Sequence, residues 1–265
     1  MILTPDSIDQ YLNSIYERGG SPNTMRSYKT DLTMLMEAVG NSPTESDVAN
    51  YLNAVRVTHK PKSVKRKLGA FRGYAKFHGE RAFLVDYRAP VPARPEPHPL
   101  PEGLDGVRRM VACTYRLNDR ALLALCGFCG LRIGEAISIS WEDIDEMTRT
   151  VSVRGKGDRT RIVPISEEAW SLIEPAYKYA RAYRCDLIRI ADRTARRRIT
   201  ELGIKAGLER PIKSHDLRMT FGTAVYHKTK DLRVVQELLG HADSHTTEVY
   251  TGVSSEHRRS AVEGL

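Results

Sequence analysis

Apolar positions recur at helical spacing through the first third of the chain. Ile8, Tyr11, Leu12, Ile15 and Tyr16 follow an i, i+3, i+4, i+7 stripe that stops at Gly19-Gly20. Ser21-Pro22 then opens a second helix carrying Met25, Tyr28, Leu32, Leu35 and Val39. A third runs through Val48, Tyr51, Leu52 and Val55, and a fourth sets Val64, Leu68, Phe71 and Ala75 on one face. Residues 1–87 therefore read as a small four-helix domain. From Ala89 to Pro101 the chain runs APVPARPEPHPLP, and Pro90, Pro92, Pro95, Pro97, Pro99 and Pro101 forbid a helix or a central strand. Residues 88–101 are read as a linker, a semi-rigid polyproline spacer of about 40 Å at roughly 3.1 Å per residue.

Residues 102–265 predict a second, mostly helical domain with one small sheet. The apolar positions from Leu122 to Ile139 read as a helical region that carries Arg132 and Glu135 in the run GLRIGEA. Thr150 to Val153 and Thr160 to Ile165 flank Arg154-Gly155-Lys156-Gly157-Asp158-Arg159 and read as a β-hairpin, with Lys156 between two glycines at its tip. Helices rich in Tyr177, Tyr179 and Tyr183 follow, then a basic segment, Arg193 to Arg198, behind an Asp192 cap. The stretch from Ser214 to Gly252 brings a helical pattern with Leu217, Phe221 and Val225, a second one from Leu232 to Leu239, and Gly240 as a helix stop.

Charge adds the footprint expected of a polyanion binder, although many basic proteins bind no nucleic acid. The chain has 265 residues with 41 Lys and Arg against 33 Asp and Glu, a formal net charge of +8 and a sequence pI near 9.3. The fourth helix concentrates Lys62, Lys65, Arg66, Lys67, Arg72 and Lys76 opposite its apolar face, with Lys60 just ahead. A solvated charged face is the ordinary explanation of such a run. No acidic residue interleaves here, which favours contact with DNA phosphates by Lys62, Lys65, Arg66, Arg72 and Lys76. The longest apolar run, Ala121 to Leu131, is too short for a bilayer span of about 20 residues. The opening MILTPDSIDQ is acidic and turn-rich, unlike a secretory signal, so a cytoplasmic location with no membrane partner is expected. Cys126 and Cys129 form a C-x-x-C inside an apolar run, where buried structural thiols are the expected state.

The chemistry-bearing groups gather near the end. His215 and Arg218 are three residues apart in a helical pattern, so both can approach one oxyanion. His241 follows the Gly240 stop, and Tyr250, nine residues on, carries a phenol that becomes a nucleophile once its proton is removed. Arg132 within an apolar region needs an anion or a hydrogen-bonded partner; the residue pattern alone favours Glu135 or a neighbouring carboxylate. His241 and His245 lack the H-E-x-x-H pattern and a third ligand nearby, so no metal is expected.

Taken in order, GLRIGEA, RGKGDRTR, His215-Asp216-Leu217-Arg218, Leu239-Gly240-His241 and Thr246-Thr247-Glu248-Val249-Tyr250 resemble the tyrosine recombinase family, the phage-integrase and Xer-type site-specific recombinases. The likeness covers essentially the whole chain, the first domain resembling the family's core-site-binding domain. It implies a mainly α fold: an N-terminal four-helix core-site-binding domain and a mostly helical catalytic domain with a small β-hairpin or sheet. It also implies that Tyr250 attacks a DNA phosphodiester to leave a 3′-phosphotyrosyl link, that Arg132 and Arg218 clamp the phosphate oxygens, and that His241 adds a hydrogen bond. Lys156 would protonate the departing 5′-oxygen, and His215 would help move the tyrosine proton. No cofactor or metal is then required. The implied partners are double-stranded recombination sites, a homotetramer on DNA with the segment after Tyr250 handed between protomers, and accessory proteins. The resemblance leaves two other activities to be weighed: a DNA-binding regulator on the same scaffold without cleavage, and a relaxing enzyme like a type IB topoisomerase. Every catalytic group is retained, against the first; the Pro-rich linker and compact first domain weigh against the second. Met219 stands where many relatives carry a second histidine, a position outside the six named roles.

Overall fold

The computed structural model describes residues 2–92, 98–155 and 160–240. The chain divides into two compact units, Met1–Arg94 and Pro95–Leu265.

The first unit is built from four helices, α1 (Pro5–Glu17), α2 (Pro22–Val39), α3 (Glu45–Thr58) and α4 (Pro61–Phe77). The first three begin where a side chain accepts from an orphan amide of the first turn. The hydroxyl of Thr4 accepts from the Ser7 N–H, that of Ser21 from Thr24, and that of Thr44 from Asp47. The Asp47 carboxylate reciprocates on the Thr44 hydroxyl and N–H, which hold its pKa below the ordinary carboxylate value. Pro occupies the start of α1, α2 and α4, where its missing N–H costs nothing. Ile8, Leu32, Leu35, Leu52, Val64 and Phe71 close the core, each 2% exposed or less. Burial of this kind is worth about 1.5–3 kcal/mol per large side chain.

The basic face expected on α4 needs one correction. Lys67 is 2% exposed and donates to Asp31 of α2 at 3.0 Å, so it lies in the interior and not on the outer face. Arg66 also bonds Asp31 and the Ser27 carbonyl. Asp31 thus pairs with two neighbouring cations of α4, one negative charge against two positive, from a helix whose sequence position gave no sign of it.

The second unit contains α5 (Leu104–Ala112), α6 (Leu117–Gly127), α7 (Ile133–Ile137), a 3-10 turn at Trp141–Asp143, β1 (Ile144–Asp145), β2 (Thr150–Arg154) and β3 (Thr160–Pro164). It continues with α8 (Glu167–Tyr183), α9 (Asp192–Lys205), α10 (Ser214–Thr229) and α11 (Leu232–Leu239). Helix α6 runs through the centre, Ala121 to Gly127 all buried, and packs against α5, α8, α9 and α10. A helix apolar on every side is what such a central position requires. The expected hairpin is present: β2 and β3 pair antiparallel with Val151 opposite Val163 and Val153 opposite Arg161. The short strand β1 adds to β2, giving an antiparallel sheet in the order β1-β2-β3.

Two local expectations change. The Leu122 to Ile139 region is not one helix, because α6 stops at Gly127 and the chain turns through Gly130 at φ +69. A side chain there would meet Phe221 and Leu239, so only glycine satisfies both the left-handed backbone and the close approach. Arg132 consequently sits at the N-cap of α7, outside any helix interior. In α9 the N-cap is Ala191; Asp192 is the first helical residue and its carboxylate pairs with Arg196 at 2.7 Å. No helix among the described residues is long and apolar enough to cross a membrane.

Candidate active site

The site is organised by one carboxylate. Glu135, in the first turn of α7, is 9% exposed and accepts from the Arg132 N–H at 2.8 Å and from Arg132 Nη1 at 2.8 Å. Arg161 on β3 addresses both of its oxygens, Nη1 to Oε1 at 3.1 Å and Nη2 to Oε2 at 2.8 Å. Arg218 on α10 brings Nη1 to 3.8 Å from Oε2. Burial pushes the Glu135 pKa up, but the hydrogen bonds from Arg161, then those from the backbone and side chain of Arg132, overcome it and bring the pKa down to about 2. Glu135 is therefore an anion at neutral pH, and three guanidinium charges against one carboxylate leave the cluster net positive.

Burial differs sharply across these arginines. The Arg132 side chain is 47% exposed, so one edge is fixed by Glu135 while the rest faces out. Arg218 is 1% exposed and donates to the Gly130 and Leu239 carbonyls, each at 2.6 Å. A buried guanidinium is tolerable only with such partners. These bonds tie α10 to the turn before Arg132 and to the last turn of α11.

The sequence sets the α10 face by local means. Asp216, 6% exposed, accepts from the Lys213 N–H at 2.9 Å and from Arg210 Nη1 at 2.7 Å, fixing the first turn. Leu217 enters the main core, and Met219 clusters with Val235 and Leu239 against Phe221, Val225 and Tyr226. That cluster docks α11 on α10 and brings the Leu239 carbonyl onto Arg218. His215 lies in the first turn of α10, one turn before Arg218, with its side chain exposed. The chain leaves α11 at Gly240, in the left-handed conformation at φ 62.

Among the six predicted catalytic residues, Arg132 and Arg218 meet at Glu135, and His215 shares the helix of Arg218. Lys156, His241 and Tyr250 lie outside the described residues. In the first unit Lys62, Lys65 and Lys76 are exposed on α4. Arg72 spends its guanidinium on the carbonyls of Leu84, Val85 and Tyr87, pinning the segment after α4. Cys126 and Cys129 are fully buried, and burial pushes both thiols up to about 12, Cys126 with help from its neighbour Cys129, which makes them inert packing groups. Among the described residues no cluster of three His, Cys, Asp or Glu side chains could hold a metal ion.

Sequence reasoning missed Arg161 altogether and took Glu135 for a simple partner of Arg132. The polarity of β3 hid Arg161. On β3 the apolar Ile162 is 65% exposed while Arg161 shares the inward face with Val163, the reverse of the alternation expected for a half-buried strand.

The fold and this cluster define a class: a helical unit bearing exposed lysines, followed by a mainly helical unit whose arginines converge on a buried carboxylate, an arrangement suited to an oxyanion. Comparison with known proteins narrows it. Residues 105–257 match the Phage integrase family and residues 8–81 match the Phage integrase, N-terminal SAM-like domain. The tyrosine recombinase XerA of Pyrococcus horikoshii is 30% identical over 276 residues, covering 99% of this chain and 94% of its own. The tyrosine recombinase XerD of Pseudomonas putida is 31% identical over 279 residues, covering 93% and 92%. Among solved structures, the Tn1549 transposon integrase in complex with transposon right end DNA superposes with a TM-score of 0.75 at 17% identity, covering 100% of this chain and 99% of that one. XerH bound to its difH substrate in a pre-cleavage complex gives 0.72 at 19% identity, covering 98% and 88%. The chain belongs to the phage integrase family, and it is a tyrosine-type site-specific recombinase.

Proposed function

We propose that this recombinase cleaves and rejoins duplex DNA through Tyr250, with Arg132 and Arg218 as its phosphate clamp. The observation that carries the reading is the convergence of those two arginines on ionised Glu135. A phosphodiester gains negative charge on its equatorial oxygens as it passes to a pentacoordinate transition state. Donors fixed before the reaction stabilise that charge without reorganising. Arg132, held on one edge and open on the other, supplies the accessible part of the clamp; Arg218 supplies its buried field.

In the step itself the Tyr250 oxygen bonds to phosphorus and the bond from phosphorus to the 5′-oxygen breaks. The phenolic proton passes to His215, and the departing oxygen takes a proton from Lys156, leaving a 3′-phosphotyrosine and a 5′-hydroxyl. His241 donates to a non-bridging oxygen. A 5′-hydroxyl from a second duplex reverses the step without any external energy source, which is why no nucleotide cofactor is needed. Two such exchanges on two duplexes call for four protomers, and residues after Tyr250 would link neighbours. The exposed Lys62, Lys65 and Lys76, with the exposed part of Arg66, follow the DNA backbone, whereas Arg72 serves the unit's own structure. The Xer-type tyrosine recombinases among its relatives support use as an integrase or an Xer-type resolvase, and we place the protein in the cytoplasm, where DNA is reached.

The test mixes one labelled and one unlabelled duplex carrying DNA from beside the gene and looks for joint products. Labelled strands joined to unlabelled partners are the expected outcome. Tight binding without any exchanged strand would favour a regulator on this scaffold.

A further inference from the structure

The proposed phosphate clamp leaves one arginine without a role. Arg161 is 13% exposed at its side chain, and it makes three hydrogen bonds to two residues, Glu135 and Leu238, on two other elements. Its fork holds both oxygens of Glu135, and its Nε donates to the Leu238 carbonyl at 3.1 Å. It also lies against the end of α11, where a Cβ on Gly240 would come within 2.8 Å of Arg161 Cδ. The carbonyls of a helix's last turn have no partner within the helix and attract cations. Here Leu238 is satisfied by Arg161 from β3 and Leu239 by Arg218 from α10. Two arginines from separate elements therefore cap one helix end while both face one carboxylate.

Stability alone is a poor reason for this arrangement. A buried ion pair replaced by well-packed apolar side chains is often neutral or stabilising, and the inward face of β3 otherwise carries Val163. What a forked arginine with three bonds adds is geometry: two parallel bonds fix the plane of Glu135, and Glu135 fixes Arg132. We propose that Arg161 is a positioning residue for strand cleavage, locking the Arg132–Glu135–Arg218 clamp and the end of α11 onto the sheet. This rests on the recombinase reading above and adds to it a residue that touches no reacting atom. Lys156 lies five residues before Arg161 in the sequence, so the alternative is that Arg161 serves delivery of the leaving-group proton.

The experiment compares wild type, R161A, R161K and K156A in single-turnover cleavage at saturating DNA, with DNA affinity measured separately and folding checked by circular dichroism. Each protein is given an ordinary site and one whose scissile 5′-oxygen is replaced by sulfur, a leaving group that departs without a proton. R161A is expected to cleave on the order of tenfold to a hundredfold more slowly at nearly unchanged affinity, the scale of a small misplacement of reacting groups. R161K keeps the charge and one bond to Glu135 and should recover part of the rate. On the sulfur substrate K156A should be restored while R161A stays slow. If R161A fails to fold, R161K carries the comparison alone. Wild-type rates in R161K, a loss confined to affinity, or full restoration by sulfur would each overturn the positioning role. A wild-type lane with no cleavage on either substrate would instead remove the recombinase reading itself, and is distinguished by that lane.

Discussion

Replacing Glu135 by glutamine tests the carboxylate at the centre of the site. The side chain keeps its shape and loses its charge, removing the carboxylate that Arg161 holds with two hydrogen bonds and that lies 3.8 Å from the buried Arg218 guanidinium. The folded pKa of Glu135 is about 2 against an ordinary 4.5, a depression worth about 3 kcal/mol at neutral pH. Loss of one partner of a buried ion pair falls in the same range. Because the folded pKa is depressed, this contribution is fully present above pH 4.5 and is lost as pH falls toward 2. By pH 3.5 about 1.4 kcal/mol of it should be gone. Both tryptophans, Trp141 and Trp170, lie in the second unit, so urea unfolding followed by their fluorescence reports that unit. The wild type should exceed E135Q by about 3 kcal/mol at pH 6, with the gap narrowing to about 2 kcal/mol at pH 3.5. Equal stability at pH 6, or a gap that does not change with pH, would show that Glu135 is not the ionised hub described.

Three further variants separate binding, folding and chemistry. Lys62, Lys65 and Lys76 replaced together by alanine should lower the slope of log affinity against log salt by about 3, one near-unit per phosphate contact, measured by anisotropy across a salt series. Arg72→Ala should leave that slope in place and lower the first unit's stability by about 2 kcal/mol in calorimetry, through loss of its bonds to the Leu84, Val85 and Tyr87 carbonyls. Arg132→Ala should cut the cleavage rate by about a hundredfold to a thousandfold while shifting unfolding little, because its side chain is half exposed. A comparable loss of folding stability would mean that Arg132 is a structural residue.

Much of the fold was legible because local signals agreed with one another. The stripe from Ile8 to Tyr16, the Ser21-Pro22 start and the Leu239-Gly240 stop each produced the element they announced. The alternation around Lys156 produced the hairpin. What escaped was decided by partners far along the chain. Lys67 falls within the stripe of Val64, Leu68 and Phe71, and only Asp31, 36 residues away, makes its burial tolerable. Gly130 reads as an ordinary glycine in an apolar run until Phe221 and Leu239 pack over it. His215 and Arg218 share a face by spacing, yet 60° of helix rotation separates an exposed imidazole from a guanidinium buried under α11. Arg161 has the same origin: its carboxylate lies 26 residues upstream and its carbonyl 77 residues downstream. The motif order in the sequence nonetheless pointed to the family that the comparisons establish.

The central claim is that Tyr250 becomes joined to DNA. Wild type and Tyr250→Phe are incubated with a labelled duplex carrying the recombination site, nicked to trap the intermediate, and resolved on a denaturing gel before and after protease. A protease-sensitive adduct at the 3′ side of the break in wild type, absent in Tyr250→Phe at equal DNA binding, is the predicted result. An adduct of equal yield in the variant would place the nucleophile elsewhere and contradict the account.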